Sequence, residues 1–343
     1  MSNTGTTLYQ LELDQTDVNC GMSYVFQLAD GRFIILDGGY FTPGEDDRLF
    51  GFLKQKTDGK PHISAWYFSH GHQDHVGNFI QFMPKYRDRV ILDHLLYAFQ
   101  PVVLPEADVD WKSSDPATVK EFYRTVEAYC QDVEKVKLHT GDTFAFGELS
   151  IDVIYTYEDL WPERVGFNNF SAVIMTTVGD QRILWLADTG SKSADFLLSL
   201  PLERLTCEMV QVAHHGIDNY ESVQRVYETT GARVLLWPTP DYQLVNRRDQ
   251  SVNRFLLQEL GIREHFCSGF GTAALPLPYE PGMATKYGKA LSFAASPESC
   301  EYQQSGGLGE NPFRYLKPEP IFPVSPGPGG VQMMHGETLG DCV

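Results

Sequence analysis

The sequence has few cysteines for its length. Six occur in 343 residues, at positions 20, 130, 207, 267, 300 and 342, and none is paired by spacing. Thiols scattered this widely do not make a disulfide framework, and they fit a reducing, cytoplasmic setting. Long apolar runs are also missing. Nothing approaches eighteen consecutive apolar residues, so no membrane span is expected. Residues 1–7 carry neither basic charge nor a following apolar stretch, so no secretory signal is expected. Positive charge is scarce as well: 27 Lys and Arg against 45 Asp and Glu leave a net charge of −18. Such a surface repels polyphosphate chains through its long-range field, so no nucleic-acid polymer is expected as a partner. A local basic pocket is still compatible with that balance.

What is present is apolar material in quantity. With 42% hydrophobic and 13% aromatic residues, the chain can bury the core of one large domain or two ordinary ones. Residues 8–13 alternate as a strand, and residues 23–28 and 33–36 form a hairpin around an Asp30-Gly31 turn. Residues 45–56 and 76–86 have helical spacing. Another helix starts at Asp115 as cap with Pro116 in its first position, and Val119, Phe122, Val126, Tyr129 and Val133 share one face. Strands follow at 149–155, 172–178, 182–186, 209–213 and 233–237, with helices at 193–200, 222–229 and 249–260. Strands followed by helices, twice over, predict a mixed α/β protein. Residues 1–280 read as the folded domain. Residues 281–343 hold eight prolines and ten glycines, which predicts a tail or wrapping arm. Phe313, Tyr315, Ile321 and Phe322 could pin that arm to the domain or to a second copy, so a homodimer through the tail is one expected partnership.

The most informative stretch is Ser69-His70-Gly71-His72-Gln73-Asp74-His75-Val76-Gly77. Three histidines and an aspartate fall within six residues, directly after the apolar strand Ile63-Ser64-Ala65-Trp66-Tyr67-Phe68. A strand end is stiff and can aim the following side chains at one point. Imidazole and carboxylate together suit zinc and related divalent ions.

His70-Gly71-His72-Gln73-Asp74-His75 resembles the His-x-His-x-Asp-His signature of the metallo-β-lactamase fold hydrolases. The resemblance spans about residues 8–275 and implies an α/β, four-layer αββα sandwich. Four further segments match that family's motifs: Asp37-Gly38-Gly39, Asn168-Asn169-Phe170-Ser171, Leu186-Ala187-Asp188-Thr189-Gly190 and Val212-Ala213-His214-His215-Gly216. Together they look like the branch containing the hydrolase domain of bacterial DNA-uptake channel proteins, without that protein's membrane channel. The resemblance implies a first metal on His70 and His72, a second on Asp74, His75 and His214, and Asp188 bridging them. Asp37 would support the metal loop from behind. Sequence does not decide between His214 and His215. His214, nearer the strand, is taken as the ligand, and His215 as the proton donor.

Two departures from the family matter. The histidine that usually completes the first site, in a Pro-Gly-His segment, has no counterpart between Ile154 and Asn169, and His94 and His139 read as structural. The first site would therefore bind weakly, or take manganese in place of zinc. The relatives' Gly-His-Pro is replaced here by Asn246-Arg247-Arg248-Asp249. Arg247 and Arg248, with Asn169, are then candidates to bind an anionic substrate. The expected activity is a dinuclear metallohydrolase, with Zn2+ first and Mn2+ second. Asp74 and Asp188 would orient the attacking water toward a small anionic ester, a phosphodiester before a lactone, amide or carboxylic ester. A metal-binding scaffold without catalysis is the alternative from another class. The loop 99–114, with Trp111, would contribute to specificity.

Overall fold

In the segment His62–Phe68 every side chain from Ile63 onward is buried, and the chain alternates between two cores. Ala65 and Tyr67 pack in one apolar cluster, Trp66 and Phe68 in another. A strand covered on both faces belongs inside a layered α/β fold. The computed structural model describes residues 5–13, 21–99, 115–161 and 166–286 and bears this out.

The strands are β1 Thr7–Gln10, β2 Tyr24–Gln27, β3 Phe33–Leu36, β4 His62–Phe68, β5 Ile91–Tyr97, β6 Glu134–Lys137, β7 Thr143–Phe146, β8 Leu149–Tyr155, β9 Val173–Val178, β10 Gln181–Trp185, β11 Met209–Gln211, β12 Val234–Trp237, β13 Glu264–Cys267, β14 Ala273–Pro276 and β15 Thr285–Lys286. One sheet runs β15-β14-β1-β2-β3-β4-β5-β6 and the other β13-β12-β11-β10-β9-β8-β7. The sheets face each other across a cluster that includes Tyr24, Phe26, Tyr67, Ile174, Trp185 and Leu236. Helices α1 Glu45–Gln55, α2 Gln73–Tyr86 and α3 Asp115–Tyr129 cover the outer face of the first sheet, around Trp66, Phe79 and Phe122. Helices α4 Ser191–Leu197, α5 Glu221–Thr230, α6 Asp241–Arg247 and α7 Ser251–Arg254 lie with the second, around Leu184, Val226 and Trp237. The result is the αββα sandwich.

Parallel pairing sets the position of the loops. β3, β4 and β5 are parallel, as are β10, β11 and β12, so the loops that leave β3, β4, β10 and β11 open along shared edges. The two edges are tied together: Ala172 N–H donates to the Ser69 carbonyl at 2.8 Å, and the Tyr67 hydroxyl to the Ala172 carbonyl at 2.6 Å.

Some elements differ from the sequence reading. The helix expected over 249–260 is α7 followed by a wide turn, Phe255–Glu259, where Leu260 N–H reaches back to Phe255. β5 has no clean alternation because Asp93 and His94 sit in mid-strand, which hid it. Residues 287–343, with the expected arm and its dimer contact, lie outside the described residues, as do residues 100–114. Among the described residues no helix is long and apolar enough to cross a membrane.

Gly77 shows how tightly α2 is set against the loop after β3. A methyl group there would lie 2.8 Å from the Phe41 backbone nitrogen and 3.0 Å from the Tyr40 carbonyl carbon. Helix propensity alone would make Gly77→Ala stabilising by ~1 kcal/mol. Overpacking against backbone reverses the sign, so the variant should lose about 1–3 kcal/mol in urea unfolding.

Candidate metal centre

The chain leaves β3 at Asp37 with φ 52°. A non-glycine residue in that region is uncommon, and the twist aims the carboxylate at the next loop. Asp37 Oδ1 accepts the Ser69 backbone N–H at 2.8 Å, and Oδ2 accepts the Ser69 hydroxyl at 2.7 Å. His75 Nδ1 lies 2.6 Å from the same Oδ2. With Nδ1–H donated there, Nε2 of His75 is the free ligand nitrogen. His70 is set alongside, its Nδ1 3.0 Å from the Ser69 hydroxyl and its Nε2 2.9 Å from His72 Nδ1. Phe167 stacks on His72 at 4.6 Å and 20°.

The second sheet supplies the other half. Ala187 (φ 48°), His214 (φ 44°) and His215 (φ 54°) complete, with Asp37, the set of positive-φ non-glycine residues among the described residues. All four flank one point, the usual address of stored backbone strain. Gln211 braces the turn: its Oε1 accepts Ala187 N–H at 2.6 Å and its Nε2 donates to the Ala187 carbonyl at 3.2 Å. The Ser171 hydroxyl accepts Asp188 N–H at 3.3 Å. His215 Nδ1 lies 2.8 Å from the Pro238 carbonyl, which commits its Nε2 to the centre.

Two groups of donors result. Asp74, His75, Asp188 and His215 place one donor atom each within 4.8 Å of one another, as do His70, His72 and Asp188. Asp188 Oδ1 is 3.1 Å from His75 Nε2 and 3.5 Å from His215 Nε2, while Oδ2 is 3.6 Å from His70 Nε2. Asp74 Oδ2 is 3.0 Å from His215 Nε2. Among the described residues, His75 Nε2, His215 Nε2 and both Asp188 oxygens are buried without a hydrogen-bond partner. A buried carboxylate without hydrogen bonds is costly, by several kcal/mol. Donors bound at about 2.0–2.1 Å on a tetrahedral ion sit ~3.3 Å apart, close to these separations. The residues fit a divalent metal pair, and they fit it with Asp188 common to both groups.

Several residues stand elsewhere than expected. His215, not His214, belongs to the donor group. His214 Nδ1 is instead 2.6 Å from Asp218, and its Nε2 is 3.8 Å from Asp188 and 3.1 Å from the Asn168 amide nitrogen. The reason is the turn itself: two successive left-handed residues send the first ring outward and the second inward. Asn169 has its side-chain oxygen engaged by backbone. Its Oδ1 accepts the backbone N–H of Lys192 and Ser193, capping α4 behind Asp188. Arg247 donates to the Ile217 carbonyl at 3.4 Å, and Arg248 is buried beside Asp249. His94 and His139 lie away from the centre, with Ser64 and Glu158 as their partners. Gln211 and Asp218 escaped sequence reasoning. Asp218, four residues beyond His214, was the more findable.

A family model described as the metallo-beta-lactamase superfamily matches residues 18–218. The chain belongs to the metallo-beta-lactamase superfamily. Solved structures similar to it include the metallo-beta-lactamase fold protein YhfI from Bacillus subtilis, at 12% identity over 76% of this chain and 95% of that one, TM-score 0.46. Zn(2+)-bound PqqB from Methylobacterium extorquens aligns at 12% identity over 78% and 99%, TM-score 0.48. CmlA, a diiron beta-hydroxylase from Streptomyces venezuelae, aligns at 11% identity over 80% of this chain and 54% of that one, TM-score 0.48. No curated protein matches the chain significantly.

Electrostatics at this metallo-beta-lactamase centre are those of an ion-binding site. Burial opposes ionisation of Asp188, yet the surrounding His75, His215 and His214 hold its carboxyl well below the usual range. Burial works against a proton on His215, but Asp188 and Asp74 overcome it and push the ring up to about 10. His70 moves the other way, held well below its ordinary value by burial and by the neighbouring His75 and His72.

Two expectations follow from that balance. With its folded value raised, ion-free His215 contributes stability that is fully present below about pH 6.5 and lost as pH rises through about 10. Metal must expel that proton, so calorimetry in buffers of different ionisation enthalpy should show proton release at pH 7 that fades above pH 10. Asp37→Ala should weaken metal retention by about 10–100-fold against a chelator, because His75 loses the partner that orients it.

Proposed function

We propose that the protein is a metal-dependent hydrolase whose dinuclear centre activates water against a small anionic ester, a phosphodiester first. One observation carries this reading: Asp188 is buried, its oxygens have no hydrogen-bond partner among the described residues, and one oxygen lies toward each donor group. His70, His72 and Asp188 would hold one ion, and Asp74, His75, His215 and Asp188 the other. The His-rich donor set favours Zn2+, and Mn2+ is the alternative where the first group offers only three protein donors. Bound ions of this kind supply a water that ionises near neutrality and positive charge for a developing oxyanion.

The chain's own residues do the rest. Asp74 and Asp188 would orient the water by accepting hydrogen bonds from it. Asp37 and Pro238 hold His75 and His215 in the tautomers that keep Nε2 available. His214, with Nδ1 against Asp218 and Nε2 on the Asp188 side, can hold a proton for the departing oxygen. It takes the role that sequence reasoning gave to His215. The Asn168-Asn169-Phe170-Ser171 segment, through which the chain resembles DNA-uptake hydrolases, serves the site from behind: Asn169 caps α4 and Ser171 holds the Asp188 backbone.

Elemental mass spectrometry after dialysis should give two ions per chain, or about one if the three-donor group releases its metal. Loaded protein should hydrolyse bis(4-nitrophenyl) phosphate faster than a lactone or carboxylic ester. Asp188→Ala should lose more than the ~10–100-fold typical of an outer-shell partner, with its circular dichroism unchanged. Turnover of carboxylic substrates alone would reassign the chemistry. No turnover of either class by fully loaded protein would leave only the scaffold reading.

A further inference from the structure

A groove of about 430 Å³ opens beside the centre, between Phe41 and the face of α3 that carries Ala117, Lys120, Glu121 and Arg124. Its floor includes Gln73, which sits between His72 and Asp74 in the metal loop. The groove adjoins the metal loop at Gln73, and α3, which forms its other wall, packs directly on that loop. A methyl group on Gly71 would come within 2.3 Å of Val119 Cγ2. The volume falls in the range of small-molecule sites.

The lining is chemically two-sided. Phe41 and Ala117 offer an apolar wall. Gln73 Oε1 accepts the Tyr40 hydroxyl at 2.9 Å, and among the described residues its amide nitrogen has no partner. Arg124 is paired with Glu121 at 3.1 Å, whereas Lys120 is exposed and unpaired among the described residues. Two cations and one carboxylate leave the groove one positive charge, on a chain of net charge −18. A cation left free beside an apolar wall selects an anion with an apolar body.

We infer that this groove is a specificity subsite for the substrate's far arm, an apolar and preferably aromatic group ending in an anion. The inference rests on the hydrolase reading: the ester lies at the metals, the aryl part against Phe41, and the terminal charge at Lys120 with the Gln73 amide. The substrate would then carry two anionic ends separated by an apolar spacer.

The test is calorimetric binding to the metal-loaded full chain and requires no turnover. 4-Carboxybenzylphosphonate should bind about fivefold more tightly than benzylphosphonate, the scale of one exposed ion pair. Lys120→Glu should abolish or invert that difference. Phe41→Ala should weaken both ligands while leaving methylphosphonate unchanged. Lys60→Glu, at the opposite end of β4, should change nothing and so controls for net charge. Equal affinities of the two benzylphosphonates, or a difference that survives Lys120→Glu, overturns the subsite, as does no binding of any phosphonate. Failure of the hydrolase reading shows separately, as absent turnover in protein that still distinguishes the two ligands.

Discussion

The carboxylate of Asp188 is the group on which the rest of the structure depends. It is buried, ionised and without a hydrogen bond among the described residues, and the several kcal/mol this costs must be offset by whatever its two oxygens face. On one side stand His75 and His215, on the other His70. Those rings come from both sheets, so the carboxylate can be satisfied only where the two halves of the sandwich meet. The cross-sheet bonds at Ser69, Ala172 and Tyr67 fix that meeting point at the level of the loops.

Local strain serves the same end. Asp37, Ala187, His214 and His215 sit at positive φ, each costing of the order of 1–3 kcal/mol where the residue is not glycine. A less strained backbone would turn the Asp37 carboxylate away from His75, or exchange the two rings after Ala213. Gln211 braces the strained turn at Ala187 and Asn169 caps α4 just beyond it, both through hydrogen bonds to backbone, which is why these two amides sit behind the centre and not in it.

Much of this was legible in the sequence. Clustered histidines after an apolar strand declare a metal loop, because few other uses reconcile so many imidazoles at a stiff strand exit. Asp37 and Asp188 were legible through motif order. What could not be read was direction. His214 and His215 are adjacent, and their roles are set by two left-handed φ angles that no side-chain pattern announces. Asn169 reads equally well as a ligand-facing amide or as a helix cap, and only the Lys192 and Ser193 backbone decides. Charge in a chain segment carries no record of where it folds: Arg248 is buried beside Asp249, and Arg247 is half-buried at the end of α6.

The missing histidine has a structural counterpart that no motif marks. Phe167 lies face to face with His72, in the segment where the family's further ligand is expected. An aromatic ring there cannot coordinate, but its stacking holds the imidazole plane of His72. The first donor group is therefore rigid although it is short of ligands. An ion held there by three protein donors would keep an open coordination position, which structural metal sites do not need and catalytic ones do. The absence of the histidine thus argues for chemistry at the first ion as readily as it argues for weak binding there.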